Sequence, residues 1–176
     1  MAKSTRLRIE GLADLERALD NLSKSAGRSV LRRSLRKAAE PMAERARALA
    51  PVKTGKLRES IKFGSLLNGS QRKLHRKLTL EERTAIELFL GPSYVKGSGG
   101  RVGHLVEFGT APHGNGGLFA GTLHPGTPPR PFMRPAFDAE AGPTIARLKP
   151  ILWAEIEKAA ARAARKAARA AAKGGN

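Results

Sequence analysis

Sixteen consecutive residues, Lys158–Lys173, consist of ten alanines and six basic side chains and nothing else. Alanine is the strongest helix former, so this stretch is a helix in spite of its low complexity. At 100° per residue, Lys158, Arg162, Arg165, Lys166, Arg169 and Lys173 fall within an arc of about 100°. The other faces carry only methyl groups, so this helix cannot close a core and the core must come from upstream. Leu148, Leu152 and Ile156 occupy a neighbouring face that continues as Ala159, Ala163 and Ala167. The near half of the helix is therefore expected to dock, and the far half to present one basic stripe. A merely solvated stripe ordinarily mixes signs. This one holds no acid, which points to a phosphate backbone or an acidic protein rim, contacted without base readout.

A docking partner for that helix stands near the other end of the chain. From about Arg28 to Leu49, Leu31, Leu35, Ala38, Met42, Ala46 and Leu49 share one arc, while Arg28, Arg32, Arg33, Arg36 and Lys37 lie away from it. Pro41 is expected to kink or restart this helix. Ahead of it, residues 5–10 alternate as a short strand with Leu7 and Ile9 on one side, closed by Gly11. Leu12, Leu15, Leu19 and Leu22 then follow helical spacing. Ala50-Pro51 ends the long helix, and Thr54-Gly55 turns the chain before Leu57.

The middle of the chain reads as strands and loops. Residues 61–67 and 85–90 are the two strand candidates, the second placing Ile86, Leu88 and Leu90 on one face. Between them, residues 68–84 form a long exposed hairpin excursion carrying Arg72, Lys73, His75, Arg76, Lys77, Glu81 and Glu82. Residues 91–103 hold five glycines, and a short helix over 102–108 stops at Gly109 in a left-handed turn. Residues 109–131 hold six glycines, five prolines and a single charged side chain, Arg130, so they form a loop. From Pro131 the pattern is helical to the end, with Pro143 and Pro150 as break points. The expected fold is α+β: a small, mainly antiparallel sheet packed by a long N-terminal helix and a long C-terminal helix, with extended loops. Residues 1–157 make one domain, and 158–176 a basic helical tail.

Several chemistries have little support. The chain has no cysteine, which removes disulfide scaffolds, thiol catalysis and cysteine-based metal centres. His104 and Glu107 sit three apart on a helix, but a third ligand would have to come from His113 or His124 in a Gly/Pro loop, so no metal site is expected. Glu81 with Glu82, Asp138 with Glu140, and Glu155 with Glu157 are flanked by basic residues and read as surface ion pairs. The glycine clusters lack the Gly-Lys-Ser/Thr ending of a phosphate loop, and no nucleophile elbow occurs. No enzyme activity and no cofactor are expected. No apolar run approaches the roughly 20 residues of a membrane span, and MAKSTRLRIEG lacks a secretory signal's apolar core. Thirty-three Lys and Arg against 15 Asp and Glu leave a net charge of +18, so the partner should be acidic. Aromatic residues are only 5% of the chain and none lies in the basic segments, which argues against a single-strand stacking platform.

Three segments, taken in order, resemble a known phage family: Ala50-Pro51-x-x-Thr54-Gly55-x-Leu57-Arg58-x-Ser60-Ile61, then Leu105-Val106-Glu107-Phe108-Gly109-Thr110, then Pro131-Phe132-Met133-Arg134-Pro135-Ala136. Their order and spacing resemble the neck and tail-completion proteins of long-tailed bacteriophages, a family related to the minor tail protein Z of phage lambda. The motifs read as structural: Pro51 and Gly55 turn the chain into the sheet, Gly109 ends its helix, and Pro131 and Pro135 set the approach of the last helix while Phe132 and Phe137 pack beneath it. Glu107 is expected to pair with Arg58 or Arg134.

The resemblance implies a virion protein at the head–tail junction, made in the host cytoplasm during assembly. It further implies a homo-oligomeric ring, sixfold like the tail, between head-closure proteins and tail-terminator or tail-tube proteins, with packaged DNA in the channel. A tail terminator and a free, sequence-independent DNA-binding protein are the rival readings. Truncation after Ala154 is expected to leave a folded protein that assembles poorly.

Overall fold

Two long helices carry the architecture of the computed structural model, which describes residues 14, 17–19, 22, 24–65, 86–94 and 99–174. Helix α1 spans Lys24–Leu49 and is followed by the short helix α2, Lys56–Ser60, and strand β1, Ile61–Gly64. Strand β2, Phe89–Pro92, precedes a 3-10 turn over Gly99–Val102 and helix α3, Gly103–Phe108. A two-residue hairpin pair, β3 (His113–Gly114) and β4 (Leu123–His124), leads to helix α4, Met133–Gly174. The result is the mixed helix-and-sheet fold expected, with the long helices at its two ends in sequence.

Helices α1 and α4 run antiparallel. Arg33 and Lys37 of α1 reach Glu155 of α4, the Arg147 guanidinium donates to the Ala38 carbonyl, and Arg45 reaches Glu140. Neither Pro41 in α1 nor Pro143 and Pro150 in α4 ends its helix. Each removes one backbone donor, and packing along the helix pair outweighs that loss.

The buried face of α1 differs from the leucine arc that the spacing suggests. Val30, Ser34, Ala38, Ala39, Ala43, Ala46 and Ala50 are buried, while Leu31, Leu35 and Met42 are half-buried and Leu49 is exposed. Small side chains let the helix backbones approach closely, and the larger ones move to the flanks. The face also turns about the helix axis near Pro41, because the first half meets the middle of α4 and the second half meets the sheet and the start of α4.

Two hydrophobic clusters result. One joins Ala46, Ala50, Leu57, Ile61, Phe132 and Ala136, with Leu90, Val106 and Met133 packed against it. The other joins Val30, Leu152 and Ile156, flanked by Leu19, Leu22, Leu31 and Ala159. Phe132 is buried, but Phe137, expected beside it, is exposed. Leu19 and Leu22 thus pack as their helical spacing suggests. The strand over 5–10, Leu12, Leu15 and the 68–84 excursion lie outside the described residues.

The strand pair is antiparallel, with Ile61 opposite Pro92 and Phe63 opposite Leu90. The second strand is therefore 89–92 and not 85–90, and residues 86–88 are not strand. The register explains the shift: β1 begins directly after α2, and the Ser93 N–H extends the ladder by donating to the Ser60 carbonyl at 2.7 Å. Residues 109–131 also hold more order than a loop. Thr110 and Thr127 exchange backbone hydrogen bonds at 2.9 and 3.1 Å and close the base of the β3–β4 hairpin.

Candidate functional site

The three motifs meet at the start of α4. Glu107, on α3, is buried, and its carboxylate accepts the backbone N–H groups of Phe132 and Met133 on one oxygen and of Arg134 on the other, at 2.8, 2.9 and 2.9 Å. A helix leaves its first N–H groups without internal partners. Here three are taken by one carboxylate, and the next residue, Pro135, has no N–H to satisfy. Pro-Phe-Met-Arg-Pro is thus a helix start written for an acceptor 25 residues upstream. Burial works against ionisation of Glu107, but the three backbone hydrogen bonds and the Arg134 charge outweigh it and hold its carboxyl below the ordinary range. The positive end of the α4 dipole acts in the same direction.

Of the two arginines expected to pair with Glu107, Arg134 meets it through its backbone N–H and its charge. Arg58 does not meet Glu107; its guanidinium donates to the Arg47 carbonyl at 2.9 Å, one of the carbonyls left open at the end of α1. Arg47 in turn donates twice to the Ile61 carbonyl at 3.2 Å and once to Glu40 at 3.0 Å. The two arginines stitch the end of α1 to the start of β1. Leu57 is buried, Gly55 opens α2 at φ 77°, and Pro51 is half-buried while Thr54 is exposed.

Gly109 ends α3 with φ 73° and ψ −174°, so it is a glycine-only extended turn and not the left-handed stop expected. A Cβ there would lie 2.5 Å from the Thr127 carbonyl oxygen and 2.9 Å from the Pro129 nitrogen. Close approach of the hairpin base explains this glycine. Phe108, Pro131 and Pro135 are exposed, and Thr110 is half-buried.

Along the helix pair, Glu155 accepts from the Lys37 ammonium at 2.6 Å and the Arg33 guanidinium at 3.0 Å. These two hydrogen bonds, Lys37 first, lower its pKa to about 2 against the opposing effect of burial. Glu140 accepts from Arg147 at 2.7 Å and Arg45 at 3.4 Å, which lowers its pKa as well, the Arg147 bond contributing most. The sequence reading of Glu155 as a surface ion pair is corrected: it is buried between Leu152 and Ile156 on the docking face, and its partners come from α1.

Beyond Ala159, every described side chain of α4 is exposed, Arg162, Arg165, Lys166 and Arg169 among them, as is Lys158 just before it. Lys173 belongs to the helix. The segment from Ala160 to the helix end is about 20 Å of cationic rod at 1.5 Å per residue. His113 and His124 stack with ring centroids 5.0 Å apart, and His104 meets the Tyr94 hydroxyl at 3.3 Å. No group of three metal-ligating side chains occurs among the described residues. There, too, no helix is long and apolar enough to cross a membrane.

Residues 13–109 match the HK97-gp10-like family, described as "Bacteriophage HK97-gp10, putative tail-component". The chain belongs to this family. It is a phage tail component, and a tail component resides in the virion and works against other tail proteins. The matched span holds α1, α2, both strands of the main sheet and Glu107, and it ends before the helix start that Glu107 caps. No curated protein and no solved structure matches the chain. Within this family member, sequence reasoning missed the cap by Glu107, the Arg47–Arg58 stitch and the Glu155 clamp. One signal for the clamp was present: a single acid between two docking-face apolar residues, facing a helix rich in arginine.

Proposed function

We propose that this tail component is a neck or tail-completion subunit that forms a homo-oligomeric ring, sixfold like the tail, at the head–tail junction. The observation that carries the reading is the cationic rod at the end of α4, held on a domain whose family is one of tail components. A domain anchored through Glu107 and the α1–α4 clamp would occupy the ring wall. The stripe of Lys158, Arg162, Arg165, Lys166, Arg169 and Lys173 would then face packaged DNA in the channel or the acidic rim of a head-closure, tail-terminator or tail-tube ring. In this reading residues 1–157 are the ring domain and 158–176 its partner-facing tail, the motif residues act structurally, and the protein is not an enzyme.

Deleting the gene separates the readings. A neck or completion protein is expected to leave filled heads and tails of normal length that do not join. Tails of uncontrolled length would identify a tail terminator instead. Absence of the protein from purified particles, with salt-sensitive binding to duplex DNA, would identify a free DNA-binding protein and sink the virion reading.

A further inference from the structure

We propose that the β3–β4 hairpin of one copy plugs an aromatic socket on the next copy, so that the ring closes head to tail through an uncharged knob set in a largely apolar hole. The inference rests on the ring reading above and names the contact that builds it.

The knob is preformed. Asn115 and Thr122 are joined by backbone and side-chain hydrogen bonds at 2.9 and 2.8 Å, the Thr122 hydroxyl donates to the Phe119 carbonyl at 2.7 Å, and the Thr110–Thr127 bridge fixes the base. Its tip nevertheless presents Leu118, Phe119 and Leu123 at 99%, 69% and 72% exposure. A rigid arm that ends in three large apolar side chains loses little entropy on docking and gains by burying them.

The socket is a cavity of about 610 Å³ walled by Leu90, Pro92, Tyr94, Phe108, Met133 and Phe137. Phe108 and Phe137 are 71% and 58% exposed there. Helix α3 separates knob from socket. Its Leu105 and Val106 line the flank shared with His113 and His124 at the hairpin base, while His104, Glu107 and Phe108 line the socket. The two surfaces lie on opposite flanks of α3, so the knob is directed at another copy, and repetition of one such heterologous contact closes a ring.

Charge selects a second copy as the occupant. Two chains of net charge +18 repel one another, and the contact they can share is one that does not set cation against cation; the socket's single arginine, Arg134, lines it together with the acids Glu107 and Asp138. From Thr110 to Pro129 the arm carries no charged side chain. The area argues for a ring over a free dimer: three such side chains cover about 400–500 Å², short of the roughly 800 Å² per partner of a stable pair. A single contact is weak, and closure, in which every subunit uses both surfaces, supplies the rest.

The absence of cysteine makes the test clean. Phe119→Cys and Phe137→Cys are both exposed positions, and circular dichroism would verify the fold of each. Under mild oxidation, a mixture of the two single variants should give the mixed disulfide as its main product, and the double variant a ladder ending at the ring number. Rings visible by electron microscopy that lack the mixed disulfide, or that form normally with Leu118→Asp/Phe119→Asp, overturn the plug and leave the neck reading standing. A chain that stays monomeric in solution and is absent from particles overturns both.

Discussion

Glu107 does with one carboxylate what a helix start ordinarily divides among several groups. Its replacement by Ala leaves the N–H groups of Phe132, Met133 and Arg134 without their acceptor in a partly or fully buried position. A loss of about 2–3 kcal/mol is expected, from the scale of cap losses and charged hydrogen bonds. Glu107→Gln, which keeps one acceptor oxygen, should lose less; equal melting temperatures for parent and Ala variant would remove the capping role. Ser34 is the opposite case, a hydroxyl buried in the helix pair with no hydrogen-bond partner. Ser34→Ala removes an unpaired polar group and improves helix propensity, so a gain of up to about 1 kcal/mol, or roughly 2–4 °C, is expected in thermal melts. Glu155 adds a pH dependence with a defined window. Its folded-state pKa is depressed from 4.5 to about 2, so its stabilisation is complete above the ordinary carboxyl range and is lost as pH falls through that window. Glu155→Gln should be less stable than the parent at pH 7, and the gap should close between pH 4.5 and 2. A gap that persists unchanged at pH 2 would show that the clamp is not electrostatic.

At the scale of elements, the long helices were legible because their periodicity is local, and the small sheet because apolar alternation brackets it. What stayed hidden acts across sequence distance. Phe132–Arg134 shows only a proline-flanked helix start; nothing local says that the acceptor is Glu107. The leucine arc of α1 misled for a related reason, since close helix packing rewards Ser34, Ala38 and Ala46 and sends Leu35 and Leu49 outward. Of the candidate site, the helix that carries the basic residues was readable, but the boundary of its docked part was not. Glu155 and Ile156 belong to the docked part of α4, so truncation after Ala154 removes an ion-pair hub and a buried side chain. That variant should unfold or melt well below the parent, contrary to the sequence expectation. Truncation after Ala160 spares both and should melt within a few degrees of the parent, as followed by circular dichroism. Similar melting curves for the two truncations would mean that α4 is not held by this clamp.

For the whole molecule, the meaning of +18 depends on where the charge sits. Arg33, Lys37, Arg45, Arg47 and Arg147 are paired with carboxylates of the helix pair, whereas Lys158, Arg162, Arg165, Lys166 and Arg169 are exposed beyond or beside the last docked turn. Replacing those five with Gln keeps helix propensity and length while removing the charge. The variant should melt with the parent. In a complementation assay it is expected to give heads and tails that join poorly or leak DNA. If the partner is DNA, the parent protein's affinity for duplex should fall steeply with salt, and the log–log slope should flatten by about 0.9 for each phosphate contact removed. If the partner is an acidic ring, joining should fail while the DNA slope stays unchanged. Normal infectivity of the five-Gln variant would reduce the stripe to a solubility device, because a contact essential to the junction cannot survive loss of the charge that makes it.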